Sequence, residues 1–312
     1  MSDKNLNRRE FLERTAFAAG ALALAYGGVS AARAATATAA AAVKRTALDQ
    51  VTLGQTGLKL SRLGFGLGSD SGAIQLAAGD ETFNKLVHYA FDQGITYFDT
   101  ARSYRTFDKL GAAIKGLPRE KLFVVSKMPD LPADVLGEVD AHRKAFNTDY
   151  VDCMMVHCMF KAGWMDDWKR GLDALSQAKD KKWVKSVGVS CHSLPALRAA
   201  IASDWPEVHL VRVNPQGVRI DAMEEVMWHF TDSPNFDIAP VLVELKKMKA
   251  KNRGVIGMKI MGNGEFKTDA DREKSVRFAM AQAELDAVVI GFKSTDEIDK
   301  AIKLMNTALA GG

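Results

Sequence analysis

From residue 51 onward, short apolar runs alternate with longer stretches whose apolar residues recur every three or four positions. The first text, Val51-Thr52-Leu53-Gly54-Gln55-Thr56-Gly57-Leu58-Lys59-Leu60, places two short apolar runs around a Gly-rich turn and reads as a β-hairpin that plugs or flanks a larger element. Eight further runs follow, over 63–66, 97–99, 122–126, 151–156, 187–190, 208–213, 255–260 and 287–290. The segments between them carry helical stripes, such as Phe83, Leu86, Val87, Ala90 and Phe91, and later Ile298, Ile302 and Met305.

Eight strands alternating with helices in one chain predict an α/β fold, a closed (β/α)8 TIM barrel with an N-terminal hairpin. Strands buried on both faces become continuous Val- and Ile-rich runs there. A doubly wound sheet is the alternative. Against it, Gly64-Phe65-Gly66-Leu67-Gly68 lacks the Gly-x-Gly-x-x-Gly spacing of a dinucleotide-binding turn. No linker interrupts the pattern after residue 43, so a single domain is expected over 48–312.

The first residues read differently. Arg8 and Arg9 precede Phe11 and Leu12, a short Ala-rich apolar stretch, and Ala32-Arg33-Ala34. This pattern resembles a twin-arginine signal peptide over 1–34, followed by an Ala/Thr-rich linker over 35–47. It implies engagement of the twin-arginine export machinery and a periplasmic destination. The apolar stretch is too short to span a bilayer, so no stable membrane anchor is expected after cleavage.

Composition narrows the partner. With 42 basic against 38 acidic residues among 312, no charge excess points to nucleic acid. A small molecule is expected instead. Cys153, Cys158 and Cys191 form no Cys-x-x-Cys pair and are expected as free thiols. His157, Cys158, Cys191 and His192 fit no metal-ligand spacing, and no metal is expected.

In a parallel barrel, chemistry gathers where strands end at their carboxyl termini. The second run ends in Asp99 with Tyr104 five residues on, the third in Lys127, and the fourth in His157. Singly, these read as a helix cap, a solvated lysine and a core histidine. Jointly, three consecutive strand ends bearing Asp, Lys and His beside a Tyr suggest a phenol made acidic by a buried ammonium that Asp99 holds.

The stretch Gly94-Ile95-Thr96-Tyr97-Phe98-Asp99-Thr100-Ala101-Arg102-Ser103-Tyr104 resembles the signature of the aldo-keto reductase superfamily. Phe123 through Lys127, Asp149 through His157, Gly188-Val189-Ser190, and the opening from Leu53-Gly54 to Leu67-Gly68 agree in order and spacing. The resemblance implies reduction of an aldehyde, ketone or sugar carbonyl by hydride transfer from NADP(H), with NAD as the alternative. It assigns Asp99, Tyr104, Lys127 and His157 as the catalytic set, Tyr104 being the general acid and Lys127 lowering its pKa. An exported barrel that binds or senses a ligand, its nicotinamide site decayed, is the competing reading.

The implied cofactor residues depart from the family. Ser190-Cys191-His192 stands where many relatives have Ser-Asn. Arg212 replaces a glutamine and either contacts cofactor or pairs with a buried carboxylate. Met258-Lys259-Ile260-Met261-Gly262 replaces an aromatic-led motif, offering Met258 to the nicotinamide, Lys259 to the pyrophosphate and Gly262 beside it. Lys293 and Ser294 are placed to meet a 2′-phosphate, unless Lys293 is simply solvated. Met128, Met159, Phe160, Trp164 and Trp228 line either the substrate pocket or the packed barrel rim.

Overall fold

The computed structural model describes residues 45–226 and 235–311. The signal-peptide reading of residues 1–34, most of the linker reading and Trp228 lie outside the described residues. Among the described residues no helix is long and apolar enough to cross a membrane.

Strands β1 (Gln50–Thr52) and β2 (Lys59–Ser61) form the hairpin, paired antiparallel with Val51 opposite Leu60. Gly57, at φ 70°, adopts the left-handed conformation that closes its turn. Eight parallel strands then close a barrel in chain order: β3 (Leu63–Gly66), β4 (Tyr97–Asp99), β5 (Phe123–Met128), β6 (Val151–Met159), β7 (Val184–Cys191), β8 (Val208–Arg212), β9 (Gly254–Met258) and β10 (Ala287–Ile290), which pairs back onto β3.

All eight expected strands are present, and their ends show what apolar runs miss. Strand β6 continues three residues past the expected 156, through His157 and Cys158, and β7 begins three residues before 187, at Val184-Lys185-Ser186. Polar side chains interrupted those runs while the backbone stayed in the sheet. Strand β9 stops short of the expected 260 because Lys259 turns to φ 62°.

The main helices are α1 (Asp80–Asp92), α2 (Phe107–Ala113), α3 (Val135–Ala145), α4 (Lys169–Asp180), α5 (Leu194–Ala202), α6 (Ala239–Ala250), α7 (Asp269–Ala281) and α8 (Thr295–Ala310). The α1 stripe of Phe83, Leu86, Val87 and Ala90 is buried as its spacing requires, with Asp80 and Glu81 at the positive end of the helix. The side chains of Asp134, Ser193, Thr268 and Ser294 accept backbone N–H bonds at the starts of α3, α5, α7 and α8.

Two apolar layers result. Between barrel and helices lie Phe65, Phe98, Val124, Met154 and their neighbours. Inside the barrel, Tyr97, Val125, Met155, Leu210, Ile256 and Val289 pack together with Leu53 and Leu60 of the hairpin region. The hairpin closes the amino-terminal end: Gln55 N–H donates to Asn252 O at 2.7 Å, beside the start of β9. With that end plugged, the carboxyl end is where polar groups gather.

Candidate active site

Strand side chains alternate with period two, so residues two positions beyond the inner core also face inward. Asp99 follows Tyr97, Lys127 follows Val125, His157 follows Met155, Arg212 follows Leu210 and Met258 follows Ile256. Four polar side chains and Met258 thus cap the interior at the carboxyl end of the strands.

Lys127 is fully buried, and its ammonium donates to Asp99 Oδ1 at 2.6 Å and to the Thr100 carbonyl at 2.7 Å. Tyr97 donates its hydroxyl to Asp99 Oδ2 at 2.9 Å, so both carboxylate oxygens are engaged. Tyr104 lies in the turn after β4, where its N–H bonds Ala101 O. The Lys127 ammonium sits 5.3 Å from the Tyr104 ring centroid. The His157 ring meets the same tyrosine edge-on, centroids 5.8 Å apart. Gly68 packs against the same ring: a Cβ built there would lie 2.3 Å from Tyr104 Cε2 and Cζ. The four residues expected to act together are brought together.

Burial, reinforced by the charge of Asp99, holds the Tyr104 pKa well above the ordinary tyrosine value. The expected lowering by Lys127 is therefore not found in this state; the ammonium's own hydrogen bonds go to Asp99 and Thr100. Burial, then Lys127, Lys259 and Arg212, keep His157 far below the usual histidine range. Tyr104 holds its proton and His157 is neutral near pH 7.

The expected cofactor residues divide. Ser190, fully buried, has a hydroxyl with no hydrogen-bond partner, as a residue awaiting a polar ligand group would. Met258 is half-buried and packs on the inner core. Arg212 points its Nε toward Asp221 Oδ1 at 3.6 Å with both side chains buried, which favours the buried-carboxylate reading. Burial nevertheless pushes Asp221 up to about 7 against the pull of Arg212. Lys259 donates to Asn263 Oδ1 at 2.9 Å, and burial followed by Arg212 brings its pKa down to about 7. Gly262 adopts φ 54°, and its N–H bonds Lys259 O.

Cys191, expected among the cofactor residues, is buried in the layer between barrel and helices. Ser294 caps α8, and exposed Lys293 faces Glu297 Oε1 at 3.8 Å, a solvated pair that leaves the ammonium recruitable. Lys293 and Ser294 thus stand at the N-terminus of a 16-residue helix, where an anion is favoured. The orphaned Ser190 hydroxyl, Lys259 and the α8 terminus fit a nicotinamide dinucleotide.

The expected substrate residues are mostly core. Met128, next to inward-facing Lys127, must point outward, and it packs in the outer layer with Met159 and Trp164. Trp164 donates its indole N–H to Ala196 O at 3.2 Å. Rim packing, the second of the two readings, describes these three. Phe160 is half-buried, beside the Lys161 ammonium.

Three participants were not singled out. Tyr97 carried a signal, since it lies two residues before Asp99 and shares its face. Asp221 is returned to Arg212 by a loop that Asn214 fastens, its amide donating to Val218 O at 2.7 Å and its carbonyl accepting from Val218 N–H at 3.1 Å. Gly68 meets Tyr104 only through the fold.

The Aldo/keto reductase family profile matches residues 62–277. Among curated proteins, the 7-acetyl-epi-neemfruitin B aldo-keto reductase of Melia azedarach is 28% identical over 196 residues, covering 55% of this chain and 59% of that protein. The NAD/NADP-dependent indole-3-acetaldehyde reductase of Schizosaccharomyces pombe is 27% identical over 146 residues, covering 44% and 50%. The chain spans about half the length of the curated relatives it matches. The holo form of an aldo-keto reductase from Bacillus halodurans superposes with a TM-score of 0.65 at 15% identity, covering 86% of this chain and 96% of that one, a likeness of fold.

Proposed function

Because the chain belongs to the aldo/keto reductase family, we propose that it reduces the carbonyl group of an aldehyde, ketone or sugar, using NADP(H), with Tyr104 as the general acid. The observation that carries this reading is the buried Lys127 ammonium, fixed on Asp99 at 2.6 Å and 5.3 Å from the Tyr104 ring centroid.

When bound, NADP(H) supplies the hydride. Ser190 would hold its carboxamide, Lys259 its pyrophosphate, and Lys293 with Ser294 the 2′-phosphate that separates it from NAD. Tyr104, kept protonated by burial, donates its hydroxyl proton to the carbonyl oxygen. As that proton leaves, the nearby Lys127 charge stabilises the phenolate. Asp99 and Thr100 O hold the ammonium, so little reorganisation is needed at that moment. His157, neutral and facing Tyr104, donates a hydrogen bond that orients the carbonyl oxygen.

The test is turnover: the purified chain should consume NADPH against a panel of aldehydes, ketones and sugars, with NADH less effective. Failure to bind either nucleotide would contradict the proposal. Export to the periplasm by the twin-arginine route is proposed on Arg8, Arg9 and the Ala32-Arg33-Ala34 zone alone. Fractionation of an Arg8→Lys/Arg9→Lys variant should find it retained in the cytoplasm, and unchanged export would overturn that proposal.

A further inference from the structure

Strands β6 and β7 run in register from Val151 opposite Val184 to Val156 opposite Val189, then slip, so that Met159 stands opposite Cys191. At this bulge Cys158 takes φ 63°, a conformation uncommon for a residue with a side chain. His192 N–H donates to Met159 O at 2.7 Å, stitching the two strand ends together. Three ligand-type side chains meet there. Cys158 Sγ lies 3.5 Å from His192 Nε2, the His157 and His192 rings stand edge-on with centroids 6.2 Å apart, and one ligand atom from each residue lies within 4.8 Å of the others. His157 is 7% exposed, and its buried Nδ1 has no hydrogen-bond partner.

Metal–nitrogen and metal–sulfur bonds of about 2.0 and 2.3 Å put neighbouring ligand atoms roughly 3.5 Å apart. The Cys158–His192 pair already has that separation, and a rotation of the His157 side chain brings in the third ligand. Charge and ligand softness together point to the ion. Lys127, Lys259 and Arg212 stand near both imidazoles, Lys127 paired with Asp99 and Arg212 facing Asp221. A divalent ion on one thiolate leaves a net positive charge among them, whereas a monovalent ion leaves none. Thiolate with imidazole is also a soft set that suits Cu(I).

We propose that His157, Cys158 and His192 form a three-coordinate site for a thiophilic monovalent cation, Cu(I), at the mouth of the barrel. Binding forms one sulfur–copper and two nitrogen–copper bonds; the thiol proton passes to buffer and no oxidation state changes. The binding does not require the proposed reaction, and a copper ion on His157 takes that imidazole from its carbonyl-orienting role.

The full chain, titrated without oxygen against Cu(I) held by bicinchoninate, should withdraw one equivalent. Cys158→Ser and His192→Gln should each weaken that affinity by at least about 100-fold, the upper end of what losing a mere outer-shell partner costs. Their metal-free melting temperatures should match the parent. X-ray absorption on the loaded parent chain, independent of any variant's folding, should show one sulfur near 2.3 Å and two imidazole nitrogens. No copper withdrawn, equal withdrawal by the folded variants, or no sulfur in the copper shell would overturn the site.

Discussion

The Lys127 ammonium and the Asp99 carboxylate meet at 2.6 Å in the barrel interior, with the lysine side chain wholly removed from solvent. Removing one partner of such a pair leaves the other charge buried and uncompensated, a penalty of about 3–5 kcal/mol. Asp99→Asn should therefore lower unfolding free energy by about that amount in denaturant titration. A variant as stable as the parent would mean that water reaches Lys127.

Gly68 and Tyr104 are equally dependent on each other. A methyl group at position 68 overlaps the phenol ring, so Gly68→Ala must displace it. A misplacement on the order of 1 Å costs about 100-fold in rate, and the expected loss is in kcat with nucleotide affinity kept. Steady-state kinetics with a nucleotide binding titration separates the two. Unchanged kcat would show that the ring tolerates displacement.

The expected capping polar layer was readable from sequence because Asp99, Lys127 and His157 each end an apolar run, and the eight strands because burial on both faces makes those runs continuous. What was missed depends on register and on distant chain segments. Asp221 reaches Arg212 only through a loop of the chain, and Cys158 and His192, grouped in sequence but without a ligand spacing, meet through the slip between β6 and β7. Met128 is a different case. Period two already places it opposite to Lys127, and its outward packing follows from the strand pattern itself.

Lys259, with a pKa near 7, provides a pH signature. Below that value it is an ammonium able to meet a pyrophosphate; above it the charge is lost. NADPH affinity should fall as pH rises through about 7, and Lys259→Met should bind more weakly with this dependence reduced. Fluorescence titrations from pH 6 to 9 measure both. Parallel pH profiles for parent and variant would remove Lys259 from the phosphate site.

Tyr104 as the proton donor is the step on which the proposed reduction turns. Single-turnover oxidation of prebound NADPH by an aldehyde, measured in the parent and in Tyr104→Phe with nucleotide affinity determined alongside, tests it most directly. The expected result is a loss of about 10²–10⁴-fold in rate with nucleotide affinity unchanged. A Tyr104→Phe variant that reduces the aldehyde at the parent rate would contradict it.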